Sequence, residues 1–188
     1  MTWYRSGRGN EKIKQLGSTG SQSITLPVKA SEHLKFEFEL YHLYGSGDFC
    51  FFADIWSGTG WLVHTRQWDI GYRYSNSSGS EIYSITPYTK KIVEITTYDG
   101  TLIVDGVVKT TGHTVSYTSG ENIKMFGMNS SNSCCATVGT TKIYKDNVLY
   151  MCLVPMKDET TGAGYYYDTI NRQSYYSTTN SPLIYAEM

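Results

Sequence analysis

Apolar and polar residues alternate without a break from His33 to Tyr41. Leu34, Phe36, Phe38 and Leu40 fall on one side, with Lys35, Glu37 and Glu39 on the other. A period of two belongs to a half-buried strand, whereas a helix would scatter the same apolar residues around its axis. The pattern therefore predicts that these four side chains face a core. Phe49 to Trp56 and Trp61 to Arg66 read as two further strands joined by Ser-Gly-Thr-Gly, a connection that closes a hairpin. Trp68 to Tyr74 continues the series before a polar SNSSGS loop.

Lys91 to Tyr98, Thr101 to Val104 and Val107 to Thr111 are separated by Asp99-Gly100 and Asp105-Gly106, dipeptides that readily supply the positive φ angles of type I′ turns. A three-stranded meander is expected there. Ile123 to Met128, Thr141 to Lys145 and Val148 to Pro155 add strands, the last two joined through Asp146-Asn147, and GYYYDTINRQSYY reads as two short strands around Asn171-Arg172. Some ten to thirteen short strands with turn signals between them, and no convincing helical period, predict an all-β antiparallel sandwich or barrel. No repeat of constant period is present, which argues against a propeller or β-helix.

Residues 1–20 differ in texture. Arg5, Arg8, Lys12 and Lys14 sit among Gly7, Gly9, Gly17 and Gly20, so this stretch is expected to be an arm or linker, and residues 21–188 the domain. Trp3 and Tyr4 would anchor such an arm in a partner's pocket, while Arg5 and Arg8 pair with acidic groups.

Composition narrows the class. The chain has 188 residues, enough for a single core, and its net charge of -1 lacks the basic field with which nucleic-acid binders neutralise phosphates. No nucleic-acid partner is expected. No apolar run approaches the ~20 residues that span a bilayer, so no membrane insertion is expected. The N-terminus offers no signal-peptide core, and export by the general route is not expected either. Seventeen Tyr against six Phe, with 18% charged residues, suit polar β-structure. Cys50, Cys134, Cys135 and Cys152 form no CxxC pair and read as free thiols, with a Cys50–Cys152 bridge left open.

The C-terminal run Lys142 to Ser177 resembles the end of the concanavalin A-like lectin/glucanase jelly rolls, of the LamG-like type found in phage tail and other virion proteins and in surface proteins of gut bacteria. The matching residues are Lys142-Ile143-Tyr144, Asp146-Asn147, Val154-Pro155, Tyr167-Asp168, and Asn171 with Tyr175-Tyr176. The stretch VEITTYDGTLIVDGVVKTT is similar to the hairpin pair of such domains. The resemblance implies a two-sheet jelly-roll sandwich in which Tyr167 and Asp168 orient a closing hairpin. Met151-Cys152-Leu153 and Met156 depart from the pattern, and no ligand site carries over.

Glycosidases on that fold place carboxylates on adjacent same-face positions of a strand, so that acid and nucleophile stand ~5 Å apart. No E-x-D-x-E motif occurs. Glu37 and Glu39 share a face, but with Lys35 they read as a solvated charged strand face. His33, His42, His64 and His113 have no zinc-binding spacing. No nucleophile elbow, P-loop or dinucleotide fingerprint is present, and no enzymatic activity is expected. No cofactor is expected. Calcium is the one ion that related jelly rolls hold with loop carboxylates, and Asp48, Asp54, Asp99 and Asp105 lie in or near loops; turn formation accounts for Asp99 and Asp105 without metal.

Aromatic residues give the better clue. Trp56, Trp61, Trp68, Tyr72 and Tyr74 fall in one short region. Their ordinary fate is to pack between sheets. The functional alternative is that Trp56 and Trp61 flank a hairpin tip and offer indole faces to a sugar, with Asp54, Arg66, Asp69, Arg73 and Asn76 supplying hydrogen bonds to hydroxyls. Tyr165 to Tyr167 with Tyr175 and Tyr176 form a second cluster suited to a subunit interface.

These readings, with the resemblance, give the expectation of a bacteriophage virion protein. It would be a tail, fibre-tip or head-decoration module present in several copies or as a homo-oligomer, binding a virion partner or a host glycan. A glycan-binding adhesin of a gut bacterium, at the cell surface or secreted, is the alternative.

Overall fold

A computed structural model describes residues 10–18, 22–42, 48–53, 61–66, 69–74, 80–84, 86, 88–111, 117–126, 136–179 and 182–185. These form strands and turns throughout: β1 (Asn10–Lys12), β2 (Leu16–Gly17), β3 (Ile24–Lys29), β4 (Leu34–His42), β5 (Asp48–Ala53), β6 (Trp61–Arg66), β7 (Asp69–Tyr74), β8 (Ser80–Ser84), β9 (Lys90–Thr96), β10 (Thr101–Val104), β11 (Val107–Thr110), β12 (Asn122–Met125), β13 (Ala136–Lys145), β14 (Val148–Asp158), β15 (Gly164–Asp168), β16 (Gln173–Tyr175) and β17 (Ile184–Tyr185).

They build two antiparallel sheets. The larger runs β11-β10-β9-β4-β13-β14-β15-β16, with β1 on β14 and β2 bridging β13 and β17; the smaller runs β3-β12-β5-β6-β7-β8. The chain is thus an all-β jelly-roll sandwich.

The alternation in β4 does what its period requires. Leu34, Phe36, Phe38 and Leu40 are all buried, and Lys35, Glu37 and Glu39 lie on the opposite face. Phe51 of the smaller sheet meets Phe36 and Phe38 across the core, with ring centroids 5.1 and 4.9 Å apart. Ile24, Leu26, Val28, Val63, Ile70, Ile123 and Met125 line the smaller sheet's inner face, opposite Val93, Ile95, Ile143, Met151 and Leu153 of the larger one. Interdigitation of the two inner faces is what holds aligned sheets together.

Two turns have positive φ at both central residues, the expected one at Asp105-Gly106 and the Asp146-Asn147 connection. Asp105 and Gly106 have φ of 50° and 77°, and Asp146 and Asn147 have 49° and 64°. Asp99-Gly100 does not. Only Gly100 has positive φ, and the loop spans four residues between Thr96 and Thr101. The Asp99 carboxylate accepts the Thr101 N–H at 3.0 Å, an Asx turn that stabilises a longer connection.

The expected arm is corrected in part. Asn10 to Lys12 pair with Asp158 to Met156, Leu16 and Gly17 pair with Val138 and Thr137, and Leu16 is buried. The Ile13 N–H also donates to the Pro155 carbonyl at 3.1 Å. The sandwich therefore begins inside the segment 1–20, through strands too short to leave a periodic trace. Trp3, Tyr4, Arg5 and Arg8 lie outside the described residues. Cys152 is a free, half-buried thiol, so the bridge to Cys50 left open by the sequence is not made.

Candidate functional site

The outer face of the larger sheet is a charge ladder. The register sets Glu37 opposite both Lys142 and Glu94, and two carboxylates directly opposed repel. Lys35 resolves the conflict by bridging them, with Nζ 2.8 Å from Glu37 Oε1 and 3.1 Å from Glu94 Oε2. Glu37 Oε2 also accepts the Tyr144 hydroxyl at 3.0 Å and lies 3.6 Å from Lys142 Nζ. Glu39 pairs with Lys90 at 2.7 Å. Burial pushes the Glu37 carboxyl up, but hydrogen bonds from Lys35 and Tyr144 and the two lysine charges outweigh it, so it ionises below the ordinary glutamate value of 4.5. A general acid needs the opposite shift. The charged-face reading of Glu37 and Glu39 holds, and three lysines there balance three glutamates.

The Tyr167-Asp168 hairpin closes as the resemblance implies. Buried Asp168 accepts the Cys152 and Ile170 N–H groups on Oδ1, each at 3.0 Å, and the Asn171 amide on Oδ2 at 2.6 Å. Asn171 donates as well to the Tyr150 carbonyl at 2.9 Å. This pins the β15–β16 turn, where Arg172 has φ of 56°, against β14. The tyrosine cluster is largely internal, contrary to the interface reading. Tyr166 and Tyr175 belong to the core, and Tyr165 is covered by Tyr176, whose ring stacks on it at 4.9 Å; of the five, Tyr176 alone is exposed. Tyr166 and Tyr175 turn inward together because they are direct partners of the β15–β16 pair, and such partners share a face.

The carboxylates weighed for calcium are engaged locally where they are described. Asp99 caps its own turn, and Asp105 accepts the Ile92 N–H at 2.9 Å and pairs with Lys91 at 3.0 Å.

The register of β6 and β7 sorts the sugar-site candidates. Cα partners of an antiparallel pair share a face. Val63 is fully buried and pairs with Tyr72, while Trp61 pairs with Tyr74 and Thr65 with the buried Ile70. Trp61 and Tyr72 therefore hold inner-face register positions. Arg66, Asp69 and Arg73 hold the alternate, outer positions: Arg66 pairs with Asp69, His64 with Gly71, and Leu62 with Arg73. Trp56, Asp54, Trp68 and Asn76 lie outside the described residues.

Neighbouring strands extend the outer face. Phe52 pairs with Leu62 and with Lys124, Lys124 pairs with Thr25, and Ser84, paired with Asp69, is exposed. Sequence reasoning missed His64, Leu62 and Lys124 as members of this face. The signal was available in the two-residue connection after Arg66, because a hairpin of that length fixes the Arg66–Asp69 rung and every rung beyond it.

No protein-family model matches the chain, and none of the curated proteins does. Among solved structures, the binding domain of botulinum neurotoxin DC in complex with rat synaptotagmin II matches at 11% identity and a TM-score of 0.52, over 73% of this chain and 42% of that one. A structure described as a receptor binding domain matches at 12% identity and a TM-score of 0.51, over 73% and 41%. A galectin from Caenorhabditis elegans matches at 10% identity and a TM-score of 0.41, over 76% and 94%. The chain spans about two fifths of the length of the first two. At such identity the first two matches show the fold: this chain is a two-sheet sandwich similar to a part of those binding domains.

Proposed function

We propose that this chain is a non-enzymatic carbohydrate-binding module. The observation that carries the reading is the register of β6 and β7, which brings Leu62, His64, Arg66, Asp69 and Arg73 to consecutive rungs on the outer face of the six-stranded sheet. Guanidinium, imidazole and carboxylate groups supply the directional hydrogen bonds that orient sugar hydroxyls, and such groups on paired strands are held more firmly than groups on loops. The first two structures that share the fold are both described as binding domains, which accords with recognition. Glu37, the nearest approach to a catalytic carboxylate, is tied to two lysines and a tyrosine. The test is a glycan array probed with the labelled chain, followed by product analysis of any glycan bound. Binding without cleavage is expected; no binding to any glycan, or turnover of one, overturns the reading.

The finer reading is a virion attachment module of a bacteriophage, acting in several copies. It rests on the resemblance of Lys142 to Ser177 to domains of virion proteins, and on the avidity that multiple copies lend to weak sugar binding. Mass spectrometry of purified phage particles tests it. Recovery of the chain from a bacterial surface fraction, and not from particles, would replace it with the adhesin reading.

A further inference from the structure

We infer that two copies of this chain associate edge to edge through β11, with Val108 of each facing its counterpart across a two-fold axis, because β11 ends the larger sheet and exposes aliphatic side chains on both of its faces. The inference does not rest on the carbohydrate-binding reading.

Among the described residues β11 pairs on one side only, with β10. Val104 and Val107 flank the two-residue Asp105-Gly106 turn and are direct partners. In a hairpin of that length the flanking residues exchange both hydrogen bonds, so the N–H and carbonyl of the next residue, Val108, point away from β10. An edge of this kind is a template for another strand. Its side chains agree. Val107 and Val108 are each 56% exposed although, as neighbours on a strand, they lie on opposite faces. A solvated strand face ordinarily carries polar residues.

Val108 also ends a longer stripe. It pairs with Ile103 on the outer face, Ile103 pairs with Glu94, and Ile92, 45% exposed, stands two residues from Glu94 within diagonal reach of Ile103. The charges beside this stripe are taken up within the chain. Lys35 holds Glu94 at 3.1 Å, and Lys91 holds Asp105 at 3.0 Å. Lys109, the one charged residue of β11, is half-buried, and its charge acts on Asp105.

These features favour a second copy over a different partner. A strand set antiparallel to its own copy about a two-fold axis meets an identical row of donors and acceptors, and the contact closes after two copies. Since Val108 carries the outward groups, the register in which it bonds to itself puts it on the axis. The stripe then runs unbroken from Ile92, Ile103 and Val108 of one copy into Val108, Ile103 and Ile92 of the next. Val107 stands opposite Lys109 of the second copy in that register, which keeps the two lysines from facing each other. The register shift at Leu102 and Ile103 confines regular pairing to a few residues, so the contact is small and the dimer weak.

Sedimentation velocity of the full chain, from about 1 to about 300 µM, reads the association, and a midpoint of about 100 µM is expected. Val108→Glu sets two carboxylates against each other on the axis and is expected to weaken the dimer about tenfold or more, and Val108→Ser, a milder change, several-fold. Both should melt cooperatively near the parent temperature, since the side chain is exposed. Val148→Glu, at an equally exposed position outside β11, is expected to leave the association unchanged. A chain that is monomeric at the highest concentration overturns the inference. So does a dimer that survives Val108→Glu, or one that Val148→Glu weakens as much.

Discussion

The hydroxyl of Tyr166 donates a hydrogen bond to the carbonyl oxygen of Val138 at 2.5 Å, inside the core. Val138 ends a run of regular pairing between β13 and β4, where the register shifts before Thr141. A bulge leaves backbone groups without ladder partners, and a buried carbonyl without one is costly. A side chain two strands away thus donates to a carbonyl beside the register shift. Tyr166→Phe keeps the ring and its 6.2 Å contact with Phe126 while removing the donor. We expect a loss of about 1–2 kcal/mol, read as a lower urea midpoint with an unchanged slope. A midpoint equal to that of the parent chain would show that water or a neighbour replaces the hydroxyl.

Asp168 is the second such pin. It serves three donors from Cys152, Ile170 and Asn171, and all three lose their acceptor together in Asp168→Ala. A loss of about 2–4 kcal/mol is expected, larger than for the tyrosine, since three donors to one buried carboxylate are affected. Asn171→Ala removes one of the three and should cost less. Comparison of the two thermal melts checks the order, and the reverse order would mean that the Asn171 bond to Tyr150 matters more than the carboxylate.

Asp168 was legible because its hairpin resembles a known closing motif, and β4 because nine residues alternate without interruption. Other elements left less trace. β3 alternates cleanly in burial, yet Pro27 interrupts its sequence and counts against a strand; as an edge strand β3 tolerates a residue with no N–H to donate. β1 and β2, of three and two residues, are too short to show any period. Their positions are set by distant partners, Met156 and Val138, which no local pattern reveals. The sugar-site candidates were chosen by residue type, but type does not determine face. Trp61 and Arg66 sit on the same strand five residues apart, and an odd separation puts them on opposite faces.

Stability should fall on the acid side. Glu32, Glu37 and Asp105 are each pushed up by burial, yet each ends below its ordinary value: Glu32 through Lys145 and the Lys29 N–H, Glu37 through Lys35 and Tyr144, Asp105 through the Ile92 N–H and Lys91. A carboxyl whose folded-state pKa is depressed contributes stability that is present above its unfolded value and lost as pH falls through the folded one. The unfolded values are near 4.5 for the glutamates and 3.8 for the aspartate, so the loss begins below about pH 4.5. The melting temperature is expected to drop between pH 5 and pH 3, and the drop to be smaller in Glu37→Gln, which already lacks one of these groups. A melting temperature that holds steady to pH 3 would show that the ladder contributes nothing to stability, as exposed ion pairs often do not.

Leu16 decides how much of the N-terminal segment the fold requires. It is fully buried, and Gly164 of β15 approaches it so closely that a Cβ on the glycine would overlap Leu16 Cδ2. Leu16→Ala removes a core side chain from a site whose backbone is held on both sides by β13 and β17, so the cavity cannot readily collapse. A loss of about 2–5 kcal/mol is expected in urea unfolding. Removal of residues 1–18 goes further. It strips β1 from Met156 to Asp158 and β2 from Thr137 and Val138, exposing ladder groups as well as the Leu16 cavity. Such a truncation should melt at a much lower temperature than the full chain, or without cooperativity. A truncated chain that melts cooperatively at the parent temperature would restore the segment to a dispensable arm and place the start of the sandwich at β3.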